Sequence, residues 1–411
     1  MKTVRTLRPE DFDQARPVYT VWELTLRCDH ACAHCGSRAG AARSDELTTA
    51  ELLEVAASVV RLGTREVTII GGEAYLRPDV YEIVAYLHNA GVRVTMQTGG
   101  MAFTAERARR FFEAGLAAIG VSVDGPPAIH DLLRARPGSH AAAIRALENA
   151  HDLGMITTVN TQVNRLNMGH LRETCELLRD KGIRVWRPQL TVPMGRAADH
   201  PEWILEPWHI LEVMDTLAAL QVESMKDARA RDIPPGRAFH VLAGNNVGYF
   251  GPHEQLLRSR PGATESWWTG CSAGKHVLGI ESDGVVKGCP SLPTAPYAGG
   301  NVRDVSLEQI WATAPELAFT RERGTEDLWG FCKGCYYADI CKGGCSFTSH
   351  CTLGKRGNNP FCYHRADTLR KQGKRERLVS VVKPEGLPYD FGRFEIVEEA
   401  WAEPAIEPTA G

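Results

Sequence analysis

From residue 21 onward, short β-branched apolar runs alternate with longer stretches whose apolar residues recur at three- and four-residue steps. That alternation predicts parallel strands joined by crossover helices. Six such pairs are read, with strands at 21–26 (VWELTL), 66–70 (EVTII), 93–98 (RVTMQT), 118–124 (AIGVSVD), 157–163 (TTVNTQV) and 184–190 (RVWRPQL). The stretch LTTAELLEVAASVVRLG after the first strand carries helical spacing behind a threonine cap. A closed barrel of this kind needs eight units, so the pattern predicts an α/β fold built on an open, partial (β/α)6 TIM-like barrel with its chemistry at the C-terminal strand ends.

The periodicity fails between 226 and 270, where DIPPGR and GNNVGYFGPHE are rich in proline and glycine, as expected of a bridge over the surface. HVLGIE-SDG-VVKGC then reads as a hairpin about an Asp-Gly turn, with Cys289 on its return strand. The predicted division is an N-terminal extension (1–20), the barrel (21–225), the bridge (226–270), a small cysteine-rich α+β domain (271–375) and a tail (376–411). Within the tail FGRFEIVEE has the makings of a strand, and AWAEPAIEPTAG has a disordered composition.

Composition narrows the partners. A formal charge of -3 over 411 residues offers no field to attract nucleic acid. The opening MKTVRTLRPEDFDQARP lacks the apolar core of a signal peptide, and no run is long enough to span a bilayer. A cytoplasmic protein is expected, and in that compartment twelve cysteines point to metal or cluster ligation rather than disulfides. Three stand at 28, 32 and 35, one at 175, and eight between 271 and 362.

Cys28, Cys32 and Cys35 form a C-x3-C-x2-C loop just after the first strand. Three thiolates hold three irons of a cubane and leave the fourth iron open, the deficit required to chelate the methionine moiety of S-adenosylmethionine (SAM). The alternative is zinc, with His30 or His34 as fourth ligand. CDHACAHC resembles the C-x3-C-x-Φ-C motif of the radical SAM superfamily, with His34 in the usual aromatic place. The resemblance implies SAM contacts at Gly71, Gly72 and Glu73 of IIGGEAYLRPD, at Thr98 of QTGG, and at Ser122 and Asp124 of SVDGP. It also suggests that the fork of Arg134 meets a carboxylate, against a solvated surface arginine.

The spacing Cys271-x12-Gly284-x4-Cys289, Cys332-x2-Cys335-x5-Cys341-x3-Cys345 and Cys362 resembles the SPASM extension of radical SAM maturases, and GGNVRDVSLEQIW resembles the helix joining its halves. That likeness implies two auxiliary clusters of [4Fe-4S] type. The first would use Cys271, Cys289 and Cys345, and the second Cys332, Cys335, Cys341 and Cys362. The first set is one ligand short, a place open to Cys351, to a noncysteine residue, or to substrate or solvent. A pair of zinc knots is the rival reading. Cys175, in a helical pattern, reads as a buried small hydrophobe. Cys351 has a second candidacy, as a catalytic thiol donating a hydrogen atom to a carbon radical.

The resemblance implies an enzyme that cleaves SAM to a 5′-deoxyadenosyl radical and abstracts hydrogen from a peptide or protein, crosslinking or epimerising a ribosomal precursor. An external donor of flavodoxin or ferredoxin type would supply electrons. Pro290 stands where sulfatase-type maturases place an acid after the second extension cysteine, which argues against formylglycine formation. Only 27 residues precede Cys28, too few for the usual leader-binding domain, so a separate leader-binding protein, the bridge or the tail would have to grip a leader. RKQGKRER reads as a solvated helix end. Two alternatives stay open: oxidation or decarboxylation of a small molecule or tetrapyrrole in cofactor assembly, and a noncatalytic zinc-binding interaction module.

Overall fold

The computed structural model describes residues 4–259 and 265–401. The predicted strands form a parallel sheet of β1 (Tyr19–Glu23), β2 (Glu66–Ile70), β3 (Arg93–Thr98), β4 (Leu116–Ser122), β5 (Ile156–Val163) and β6 (Val185–Leu190), in that spatial order. Neighbours pair in parallel, for example Val21 with Thr68 and Thr68 with Thr95. Helices such as Thr49–Arg61, Ser139–His151 and Leu171–Arg179 cross over between strands. The first is closed by a reciprocal capping box: Thr48 Oγ1 accepts from the Glu51 N–H at 3.4 Å and the Glu51 carboxylate accepts from the Thr48 N–H at 2.8 Å. The core is continuous from Trp22 and Leu24 through Ile69, Met96, Ile119 and Val159 to Trp186.

The sheet does not stop at six strands. Residues 226–270, expected as a surface bridge, begin within the long helix His209–Ala230 and then supply β7 (His240–Val241), which pairs with β6. The same stretch buries Val247 and Tyr249 completely. On the other side β8 (Val277–Ile280) lies parallel to β1, followed by the antiparallel β9 (Val285–Lys287) and β10 (Gly300–Asn301), so the extension is hydrogen-bonded into the barrel's own sheet. The β8–β9 hairpin turns at Gly284, whose φ of +91° is a conformation open to glycine. Cys289 lies two residues beyond the return strand rather than on it, because pairing ends at Lys287.

The joining helix expected from GGNVRDVSLEQIW is Leu307–Thr313, capped by Ser306. The tail from 376 is folded in large part. β11 (Lys374–Val382) and β12 (Arg393–Ala400) form a separate antiparallel pair, the latter overlapping the expected FGRFEIVEE strand and ending one residue beyond it. RKQGKRER runs from the end of helix Tyr363–Lys371 into β11. Most of AWAEPAIEPTAG, from 402 on, lies outside the described residues. Among the described residues no helix is long and apolar enough to cross a membrane.

Candidate active site

The loop after β1 folds back on itself. The Cys28 N–H donates to the Gly40 carbonyl and the Gly40 N–H to that of Leu26, both at 2.9 Å. Within it the thiols of Cys28, Cys32 and Cys35 lie close enough to act on one another. Burial, with those neighbouring sulfurs, pushes the Cys28 thiol far above its ordinary value and that of Cys32 up to about 11. Thiols held so high in the protein alone become good ligands only when a cation replaces their protons.

The Gly-Gly-Glu turn packs against this loop. A Cβ on Gly71 would stand 2.4 Å from the Thr25 carbonyl oxygen, and one on Gly72 would stand 2.2 Å from that of Arg27, so both positions require glycine. The close approach lets the Gly72 N–H donate to Thr25 O at 2.7 Å and the Glu73 N–H to Arg27 O at 2.8 Å. The Glu73 carboxylate, buried completely, accepts from Thr98 Oγ1 and from the Gly99 N–H at 2.6 Å. Burial outweighs both bonds and pushes it up to about 8. Cys28, Asp29, His30 and Glu73 converge, one donor atom each within 4.8 Å of the others. His30 Nε2 is buried there with no partner among the described residues. A desolvated acid beside the cysteine loop fits the ammonium group of a SAM molecule held at an open iron. Ser122 ends β4 half-buried at the same mouth.

Asp124 and Arg134 are committed elsewhere. Arg134 grips Asp124 Oδ2 through Nε (2.8 Å) and Nη2 (2.6 Å), while Asp124 Oδ1 accepts from the Gln162 N–H at 2.9 Å. His34 Nε2 lies 3.3 Å from the same carboxylate, and its Nδ1 3.0 Å from the Leu133 carbonyl. Burial alone would raise the Asp124 carboxyl, but the Arg134 and His34 charges hold it well below the usual range. The carboxylate met by the Arg134 fork is thus the protein's own, and its remaining Nη1 points to Cys32 Sγ at 3.8 Å. These residues brace the loop, and His34, with both nitrogens engaged, is not a free metal ligand.

The extension cysteines gather into two groups. Cys271, Cys289 and Cys345 act on one another, as do Cys332, Cys335, Cys341 and Cys362. Burial pushes Cys289 up to about 11 and Cys345 and Cys341 to about 12. Cys345 therefore leaves its chain neighbours for the hairpin pair. Cys351, fully buried on helix Ser346–Leu353, lies near Cys345 and packs with Val192, Met194 and Tyr389. Cys175 is buried in the barrel core, with no other cysteine acting on it among the described residues.

Several positioning residues carry no local sequence signal. Tyr249, from the bridge, accepts the Cys345 N–H on its hydroxyl at 3.1 Å, and its carbonyl accepts from Cys362 Sγ at 3.6 Å. Arg196 donates to the carbonyls of Cys32 (2.6 Å) and Ala39 (3.0 Å), pinning the first loop. Glu23, at the end of β1, is buried against Arg43 and Ser282 and accepts from the Tyr389 hydroxyl. Tyr389 sits at φ +59° in the loop joining β11 and β12, with Lys287 Nζ 4.0 Å from its ring centre. Asp390 ties that loop to Arg38 at 2.8 Å. The turn bearing Tyr389 and Asp390 thereby touches both barrel and extension.

Comparison with known proteins agrees with this architecture. The radical SAM superfamily profile matches residues 22–184, and an iron–sulfur cluster-binding domain profile, SPASM, matches 271–336. The mycofactocin maturase MftC of Mycobacterium ulcerans is 31% identical over 350 residues, covering 84% of this chain and 88% of that protein. An AdoMet-dependent heme synthase of Methanosarcina barkeri is 28% identical over 353 residues, covering 85% and 97%. In fold, the chain is similar to anSMEcpe with bound AdoMet (TM-score 0.64, 18% identity, covering 86% of this chain and 95% of that one). It is likewise similar to Streptococcus suis SuiB bound to its precursor peptide SuiA (TM-score 0.61, 14% identity, covering 82% and 74%). The chain belongs to the radical SAM superfamily and carries a SPASM domain, so it works with S-adenosylmethionine, a [4Fe-4S] cluster and auxiliary iron–sulfur clusters.

Proposed function

We propose that this enzyme abstracts a hydrogen atom from a peptide, as a maturase that crosslinks or epimerises a ribosomally made precursor. The observation that carries the reading is the 31% identity to a mycofactocin maturase over most of both chains. Cys28, Cys32 and Cys35 would hold the cluster, which would supply the electron that splits SAM into methionine and a 5′-deoxyadenosyl radical. The protein's part is to hold, orient and exclude water. Glu73, presented by Thr98 and Gly99, would take the SAM ammonium, and Ser122 would stand by the ribose. Asp124 and Arg134 keep the cysteine loop in register. The closed turn bearing Tyr389 shields the space between barrel and extension, where a peptide radical needs protection from solvent. Cys271, Cys289 and Cys345 would hold one auxiliary cluster, and Cys332, Cys335, Cys341 and Cys362 the other. An external flavodoxin- or ferredoxin-type donor would feed the first cluster, and a separate leader-binding protein would deliver the peptide.

A second reading, oxidation or decarboxylation of a tetrapyrrole, is supported by the 28% identity to a heme synthase of which this chain covers 97%. The experiment is to reconstitute the protein anaerobically, supply SAM and reductant, and offer in parallel a peptide encoded beside the gene and an iron porphyrin. A mass change in the peptide with stoichiometric 5′-deoxyadenosine supports the first reading. Loss of carboxyl mass from the porphyrin alone replaces it with the second.

A further inference from the structure

Each of the three cysteine groups has an arginine beside it, and the three differ in how far their charge is cancelled. At the barrel loop, Arg134 is paired with Asp124. At the second extension group, Arg365 acts on Cys332 and Cys362 but is held bidentately by Glu376 at 2.7 Å on both nitrogens, and its Nη1 is spent on Asn358 Oδ1 (2.7 Å) and the Asn359 carbonyl (3.1 Å). Both guanidiniums are neutralised, and Arg365 is satisfied at every nitrogen.

Arg323 is different. It is only 9% exposed and has no carboxylate within ion-pair distance among the described residues. Its Nη1 donates to Ser346 Oγ at 3.2 Å, beside Cys345, while Nε and Nη2 are buried without any partner. The chain leading to it lies along the Cys271 segment: Arg321 Nε donates to the Gly274 carbonyl at 2.6 Å and Thr320 Oγ1 to that of Ala273. Cys271 is the group that favours the charge on Arg323 most, ahead of the more remote Asp327 carboxylate, and Arg356 adds a second positive charge nearby. A guanidinium stays charged in any protein, and leaving two of its nitrogens buried and unbonded is costly unless an acceptor occupies the space they face. The sulfurs of a cluster held by Cys271, Cys289 and Cys345 are acceptors of the right sign.

We infer that Arg323 donates its two free nitrogens to the sulfurs of the first auxiliary cluster and, as a cation with no carboxylate in contact, holds that cluster at a higher reduction potential than the other two. The inference rests on the proposed assignment of that cluster to these three cysteines. A positive charge stabilises the reduced, more negative cluster over the oxidised one, and it does so most where no carboxylate cancels it. Arg323 also acts on Cys332, so the second auxiliary cluster feels it more weakly, behind the paired Arg365.

The test is a redox titration of the reconstituted full chain followed by electron paramagnetic resonance. Cys289→Ala identifies which signal belongs to the first auxiliary cluster. If that variant keeps every signal and the wild-type iron content, the cluster assignment itself falls. With the signal identified, Arg323→Gln is expected to lower its reduced-to-oxidised ratio about tenfold at fixed potential, a downward shift of about 59 mV for one electron, with a smaller shift at the second auxiliary cluster and none at the barrel cluster. Arg323→Lys, which keeps the charge, should restore most of the potential. Unchanged potential in Arg323→Gln at full iron content overturns the inference, as does an equal shift of all three signals. Should Arg323→Gln fail to retain iron, Ser346→Ala removes only the Nη1 anchor. A downward shift of the first auxiliary signal then supports the inference, and none overturns it.

Discussion

The cysteines of the barrel and those of the extension solve the same ligation problem by opposite means. Cys28, Cys32 and Cys35 lie in one eight-residue loop, braced from outside by the Gly72 and Glu73 backbone, by Arg196 and by the Asp124–Arg134 pair. Behind it stands a sheet whose core does not depend on the loop. The extension spreads the seven cysteines of its two groups from 271 to 362 over turns and helices of four to nine residues, and sends Cys345 to a group other than that of its neighbours. From Cys332 to Cys345 regular structure is too short to fold alone, and ligation would have to supply the cohesion. A site that the fold builds can lose its metal and keep its shape, whereas a site that builds the fold cannot.

The largest effect should separate the two outright. Cys32→Ala is expected to abolish 5′-deoxyadenosine formation while the extension keeps its iron. Cys341→Ala should strip amide-exchange protection from 330–353, while β8, held in the barrel's sheet, and β2 to β5 stay protected, as read by hydrogen exchange. Equal loss of protection in both variants would break the comparison. Next, Asp124→Asn leaves the buried Arg134 without its counter-charge and should cost about 3–5 kcal/mol of stability in the metal-free protein, measured by denaturant unfolding. A cost near zero would mean that the brace is dispensable. Glu73→Gln should weaken SAM binding about ten- to a hundredfold, the worth of one buried charge-assisted hydrogen bond, with cluster content unchanged. Cys351→Ser sharpens the extension's side of the contrast: iron lost from the first auxiliary group marks Cys351 as its missing ligand, and full iron with product lost marks it as the hydrogen donor. Smallest of all, Cys175→Ala should cost about 1 kcal/mol and change no spectrum.

The same contrast explains what could be read from the chain in advance. Strands β1 to β6 were legible because buried parallel strands and crossover helices each carry their own period, and Gly71 and Gly72 because a close approach of two backbones admits nothing larger. The division of the extension cysteines into two groups followed from spacing set against a family pattern. The rest was written across long separations. Tyr389 meets Glu23 across 366 residues, and nothing around FGRFEIVEE marks its turn as a closing element. Tyr249 stood in glycine-rich text that reads as a loop, because its burial comes from the cysteines it serves. Asp124 and Arg134 were found as residues but not as a pair, since a fork engaged by the protein's own acid and a fork awaiting a ligand look alike in one dimension.

The pairing of β8 with β1 has a consequence for modularity. A hydrophobic strand lined on one side by β2 is shielded on the other by a segment that arrives more than 250 residues later. A ribosome that has delivered only the barrel has therefore made an open sheet margin, with the backbone donors and acceptors of Tyr19 to Trp22 that face away from β2 unpaired and ready to recruit any extended chain. The extension is on this view a seam as well as a cluster-binding domain. Barrel-only truncations should aggregate, and swaps between relatives should be cut outside Val277–Lys287, so that the strand completing the sheet travels with the barrel it completes.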